Sequence, residues 1–234
     1  MMEESIIHDH LKLFAERGGE FLVAYPDFVH KAMNIKMIIF DWDGVFNGGY
    51  KGDGVYSPFS EVDSMGLNML RFGYEMLTGK ILPAGIISGM DNKNSEMFIR
   101  REHLDFKCLG FKDKNEGLQI VLNEFHVKPE EVAFVYDDIL DLSVAEQCGL
   151  RFQVSTAASP MFSRYVKTHN LADYITAQSG ENHAVREVTE LLLAAIGKYE
   201  NTVESRMHFD PKYAEYIGKR NQIVAKEYLA ARRY

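Results

Sequence analysis

The chain has 234 residues, enough for one domain or one domain with extensions, and its 46% hydrophobic and 12% aromatic content can fill a core. A formal net charge of −8 argues against nucleic acid as the main partner, though not against an anionic substrate held by local cations or a bound metal. Cys108 and Cys148 supply neither a disulfide framework nor a metal knuckle, and no apolar run approaches the roughly 18–20 residues that span a bilayer.

Taken in chain order, the start is acidic, Met1-Met2-Glu3-Glu4, without the basic-then-apolar pattern of a secretory signal. A cytoplasmic protein is expected. Residues 1–33 read as an added helical arm: Ile6, Ile7, Leu11, Leu13 and Phe14 have mixed helical spacing, and Gly18-Gly19 is a stop. From residue 34 the pattern alternates. Strand-like runs cover Lys36–Phe40, Ala84–Ser88, Phe106–Leu109, Val132–Tyr136 and Phe152–Ser155, with Asp173–Thr176 as a sixth. Helix-like stretches separate them: Ser64–Leu77, Lys93–His103, Lys114–Phe125, Leu140–Cys148 and Met161–Thr168. Such alternation predicts βαβ units and a mostly parallel α/β sheet flanked by helices. The glycine-rich segment Gly48–Phe59 interrupts the order. It lacks a phosphate-loop signature and reads as a β-hairpin inserted after strand one. His183–Ile196 carries one apolar stripe and ends at Gly197. The tail, 198–234, holds Asp210-Pro211 as a helix start, then Tyr213, Tyr216, Ile217, Ile223, Val224 and Tyr228 on one helical face. A helix of that kind docks on the core or on a neighbouring subunit. The division expected is therefore 1–33, 34–197 and 198–234.

Ligands of open parallel sheets bind beyond the carboxyl ends of the strands. Four polar signals fall there. Asp41 and Asp43 follow strand one, in Asp41-Trp42-Asp43-Gly44. Ser88 closes strand two, Lys114 opens the helix after strand three, and Asp137, Asp138 and Asp141 follow strand four. Crowded carboxylates need a cation between them, and hard oxygen donors suit Mg²⁺. A carboxylate nucleophile, a hydroxyl, a lysine and a Mg²⁺ site together suit phosphoryl transfer. Asp41 would attack phosphorus. Asp43 would protonate the leaving alcohol and then activate water. Ser88, nearby backbone N–H groups and Lys114 would hold phosphate oxygens. The eight histidines show no zinc-ligand spacing.

Over residues 34–197 this order of motifs resembles the haloacid dehalogenase superfamily of Mg²⁺-dependent phosphohydrolases. Asp43-Gly44-Val45-Phe46-Asn47-Gly48-Gly49, Asp63-Ser64-Met65-Gly66-Leu67 and His183-Ala184-Val185-Arg186-Glu187 are similar to its 3-deoxy-octulosonate 8-phosphate phosphatase branch. The resemblance implies a Rossmann-like sheet without a large cap, and tetramers in which neighbours cover each active site. It implies a metal set of Asp41, the Asp43 carbonyl and Asp137, with Asp141 supporting the metal from behind these ligands or through water. Gly89, Asp63 and Arg186 would lie toward a small acidic sugar phosphate. The chain departs from the branch pattern at five positions. Tyr136, Ser64 and His183 stand where glycine is usual, and Val62 and Met90 where arginine is. Lost arginines weaken recognition of a sugar carboxylate. A phosphatase with another substrate therefore stays open, as does a non-catalytic oligomerisation or regulatory module on the same fold.

Overall fold

A computed structural model describes residues 2–55, 57–90 and 92–230. Met1, Tyr56, Asp91 and 231–234 lie outside, including part of the acidic start and the end of the tail. In chain order the elements are α1 (Met2–Glu16), β1 (Glu20–Phe21), α2 (Tyr25–Asn34), β2 (Met37–Phe40), α3 (Glu61–Thr78) and β3 (Ala84–Ser88). They continue with α4 (Lys93–Glu102), β4 (Phe106–Leu109), α5 (Lys114–Phe125), β5 (Val132–Tyr136), α6 (Leu142–Ala145) and β6 (Leu150–Gln153). The last are α7 (Pro160–Thr168), β7 (Tyr174–Ile175), α8 (Ala184–Ala195), α9 (Tyr199–His208), α10 (Pro211–Arg220) and β8 (Lys226–Leu229).

The strands form one sheet in the order β1-β7-β6-β5-β2-β3-β4-β8, parallel throughout except for β1 on β7. β2 is central because it is apolar on both faces. Successive side chains alternate across a strand, so Ile38 and Phe40 enter one core layer while Met37 and Ile39 enter the other. β5 repeats this, with Ala133 and Val135 on the first side and Val132, Phe134 and Tyr136 on the second. From β2 the chain builds outward to β3 and β4, then crosses back to β5. The sheet direction therefore switches beside the carboxyl end of β2, where a crevice opens.

Helix α3 starts earlier than its apolar spacing suggests. The Ser60 hydroxyl accepts the Asp63 N–H and caps it, and Gly79 ends it at φ +74°. Among the described residues of 48–59, the expected hairpin is present as a turn with an antiparallel bridge between Gly52 and Val55. A two-stranded ribbon with no third strand or helix to cover it is marginal.

The terminal stretches join the same sheet. β1 closes one edge against β7 and β8 closes the other against β4. Leu11, Phe28 and Ala32 from the first 33 residues, and Tyr213 and Tyr216 from the tail, are buried in the core shared with α3 and α8. Among the described residues, no helix is long and apolar enough to cross a membrane.

Candidate active site

The turn after β2 is set by Trp42. Its indole is fully buried and stacks on Phe46 at 4.9 Å, so the carboxylates on either side turn into the crevice. The Asp41 N–H donates to the Val135 carbonyl at 2.9 Å and carries the β2–β5 pairing one residue further. Gly44 follows at φ +87°, and a Cβ there would come within 1.9 Å of Asp137 Oδ2. Glycine is required both by the left-handed backbone and by the approach of that carboxylate.

Four elements meet at this point. Lys114 Nζ, at the start of α5, donates to Asp41 Oδ1 at 2.6 Å and to Asp141 Oδ1 at 2.5 Å. All three residues are buried. Asp141 Oδ2 also accepts the Asp138 N–H at 3.3 Å, across the short helical turn Ile139–Asp141. Oxygens of Asp41, Asp137 and Asp141 lie within 4.8 Å of one another. One ammonium thus faces three carboxylates. Burial, reinforced by Asp141, raises Asp41 to about 7 against the pull of Lys114. Burial, then the charges of Asp41 and Asp141, raise Asp137 to about 8. Burial raises Asp141 as well, with Lys114 opposing. Burial alone would lower Lys114, yet the two carboxylates lift it above the ordinary lysine range. These carboxylates are short of positive charge, and an all-oxygen donor set of this kind fits Mg²⁺.

Asp43 lies at the mouth. Its Oδ1 accepts the Ser57 hydroxyl at 2.6 Å, and its Oδ2 sits 3.1 Å from Lys51 Nζ. Both partners come from the glycine-rich segment, and neither was singled out by sequence pattern. A cavity of about 360 Å³ opens here, lined by Asp43, Lys51, Ser57, Met90 and Lys93 among others. Ser88 ends β3 beside β2. It is buried, and its carbonyl accepts the Gly110 N–H at 3.0 Å. Gly89 follows it, half-buried, and a Cβ there would meet the Phe111 carbonyl oxygen at 3.7 Å, an ordinary contact.

Two expected substrate residues are placed elsewhere. Asp63 is fully buried and structural in its contacts. It accepts the Ser60 hydroxyl at 2.6 Å and the Arg186 N–H at 2.9 Å, tying α3 to the first turn of α8. Arg186 pairs with Glu190 at 2.7 Å and lines a separate groove of about 580 Å³ between α1, α8 and α9. That groove shares no lining residue with the cavity over Asp43.

The five departures from the branch pattern fall in different surroundings. Tyr136 points into the core layer opposite the α3 side, stacks on Phe134 and donates to the Leu171 carbonyl at 2.9 Å. His183 has φ +69°, a conformation that glycine adopts more readily. Ser64 is buried against Glu102. Val62 is exposed and lines the groove that holds Arg186, whereas Met90 is exposed at the mouth over Asp43.

No family model matches the chain. A curated relative, 3-deoxy-D-manno-octulosonate 8-phosphate phosphatase KdsC of Escherichia coli (strain K12), is 33% identical over 177 residues, covering 74% of this chain and 87% of the relative. The solved structure of 3-deoxy-D-manno-octulosonate 8-phosphate phosphatase from Yersinia pestis is 30% identical, with a TM-score of 0.62. That match covers 74% of this chain and 89% of the other. The phosphatase of the same name from Moraxella catarrhalis, solved in complex with a magnesium ion, a phosphate ion and a KDO molecule, is 26% identical, with a TM-score of 0.63. It is covered over 97% of its length by 76% of this chain.

Proposed function

Because this chain belongs to the 3-deoxy-D-manno-octulosonate 8-phosphate phosphatase family of the haloacid dehalogenase superfamily, we propose that it hydrolyses a small acidic sugar phosphate through an aspartyl-phosphate on Asp41. It is a phosphomonoesterase and depends on Mg²⁺. The observation that carries the reading is Lys114 shared between Asp41 and Asp141, with Asp137 against the same point.

Asp41, Asp137, Asp141 and the Asp43 carbonyl would hold Mg²⁺, which when bound offsets charge between the phosphate and these carboxylates. Lys114 Nζ fixes Asp41 through Oδ1 and leaves its other oxygen to attack phosphorus. The Ser88 hydroxyl and the Gly89 N–H bind phosphoryl oxygens. As the Asp41–phosphorus bond forms, the ester P–O bond breaks and its electron pair stays on the leaving oxygen. Asp43 gives that oxygen a proton, and the alcohol departs. Asp43 then takes a proton from water, whose oxygen attacks phosphorus. The bond to Asp41 breaks, and inorganic phosphate leaves.

The substrate is drawn from 3-deoxy-octulosonate 8-phosphate and nonulosonate 9-phosphate types. A different phosphorylated metabolite is the second reading, and Met90 at the mouth in place of an arginine favours it. An inert module on this fold would not need the buried Lys114 pairs, which are costly to desolvate. We place the catalytic unit at 34–197 and expect a cytoplasmic homo-oligomer, a tetramer in the family pattern. The exposed Tyr50, Val55, Met90, Ile139 and Leu140, on loops that follow β2, β3 and β5, support a covering neighbour.

The test is phosphate release from a panel of acidic sugar phosphates and common metabolites, with p-nitrophenyl phosphate as a generic ester. Wild type with Mg²⁺ is expected to turn over at least one sugar phosphate, EDTA to stop it, and Asp41→Asn to abolish it. Retention of most activity by the Asn variant would rule out the mechanism.

A further inference from the structure

Resting on the phosphatase reading, we propose that Ser57 is a positioning residue for Asp43, so that the segment 48–59 takes part in the chemistry of its own subunit. Ser57 is 1% exposed, and its hydroxyl lies 2.6 Å from Asp43 Oδ1. A hydroxyl carries one proton. Its alternative acceptor, the Tyr50 carbonyl, is 3.1 Å away and neutral, so the closer carboxylate takes the bond.

Ser57 is itself held. Its carbonyl accepts Asn94 Nδ2 at 3.2 Å. The next carbonyl, of Pro58, accepts Asn47 Nδ2 at 3.1 Å. Asn47 Oδ1 in turn accepts the N–H groups of Gly49 at 2.9 Å and Gly44 at 3.4 Å. One asparagine thus ties both ends of the segment to the Asp43-Gly44 turn. Lys51, the partner of the other Asp43 oxygen, contrasts with this. Its side chain is 53% exposed on a glycine-flanked tip, so an arriving leaving group can displace it. Ser57 stays and pins Oδ1. Oδ2 is then the oxygen that works on the leaving group. A freely turning Asp43 would spend less time aligned for proton transfer.

Leaving groups separate positioning from plain structure. A sugar alkoxide needs the proton from Asp43 as the P–O bond breaks, whereas p-nitrophenolate departs without it. The experiment measures kcat/KM, which covers steps up to departure of the leaving group, for both ester types. The esters are p-nitrophenyl phosphate and the sugar phosphate that wild type turns over fastest. Ser57→Ala is expected to lose about tenfold or more on the sugar phosphate and to stay within about twofold on the aryl ester. Ser57→Cys fills nearly the same space with a weak donor and should follow Ser57→Ala; it also answers if the alanine variant fails to fold. Ser57→Thr keeps the hydroxyl and should restore the wild-type ratio. Equal losses on both esters, or none on either, would overturn the proposal. A wild-type enzyme inactive on both would instead overturn the phosphatase reading.

Discussion

Lys114 holds two carboxylates while a third stands close by, and this imbalance shapes how the site responds to pH. Asp41 is raised from 3.8 to about 7 and Asp137 from 3.8 to about 8, burial being the main cause in each. A raised carboxylate stabilises the fold below its unfolded value, and that contribution is lost as pH rises through the folded one. The window is therefore about pH 4 to 8. Lys114, raised above the ordinary lysine range, contributes throughout that window and adds no slope within it. Metal-free protein should melt at progressively lower temperature from pH 5.5 to 8. Mg²⁺ should raise Tm more at pH 8 than at pH 5.5, by more than roughly 5 °C. Equal stabilisation at both pH values, by scanning calorimetry, would contradict this. The carboxylates and Lys114 are legible in the sequence because strand ends of a parallel sheet converge on one crevice. Ser57 and Lys51 are not, since a serine and a lysine among glycines follow no period. Asp63 sits in a family-like motif, yet helix capping consumes its carboxylate. That use depends on where α8 begins, which no local pattern shows.

At the scale of elements, runs apolar on both faces identify β2, β3 and β5, and helical spacing identifies the helices between them. The terminal strands are hidden. β1 has two residues, and β8 has an exposed Lys226-Glu227 start, the charged pattern of an edge rather than a core. Their pairing is decided by tertiary contacts. The short turn Ile139–Asp141 and α6 replace the single helix expected over Leu140–Cys148, because Asp138 caps the chain where the metal-side carboxylates must turn inward. Helix α10 docks through Tyr213 and Tyr216, but it ends at Arg220: Ile223 and Val224 lie beyond it, Val224 exposed, and Tyr228 sits on β8, because the chain leaves the helix to pair with β4. Tyr216, fully buried, donates from its hydroxyl to Asn68 on α3, with both the carbonyl and Oδ1 at 2.9 Å. Arg220 adds a bond to the same Oδ1 at 2.9 Å and reaches Glu102 at 3.2 Å. Tyr216→Phe should therefore destabilise the protein by about 1–2 kcal/mol, lowering Tm by about 3–6 °C, with kcat unchanged. An unaltered Tm would show that the tail is not fastened through this bond.

For the whole molecule, the fold delivers a nucleophile, a lysine, metal-side carboxylates and an acid/base from segments far apart in sequence to one end of the sheet. β1 and β8 close the sheet edges, and α1, α2 and α10 add side chains to the core that supports the crevice. The central claim is that this gathering lets an Asp41 oxygen bond to phosphorus. The most direct test is an acid quench during turnover of a ³²P-labelled sugar phosphate, followed by peptide mapping. The label is expected on the peptide containing Asp41, to vanish on a chase with unlabelled substrate, and to be absent from Asp41→Asn. Full turnover with no label on that peptide, or label on another residue, would contradict the account.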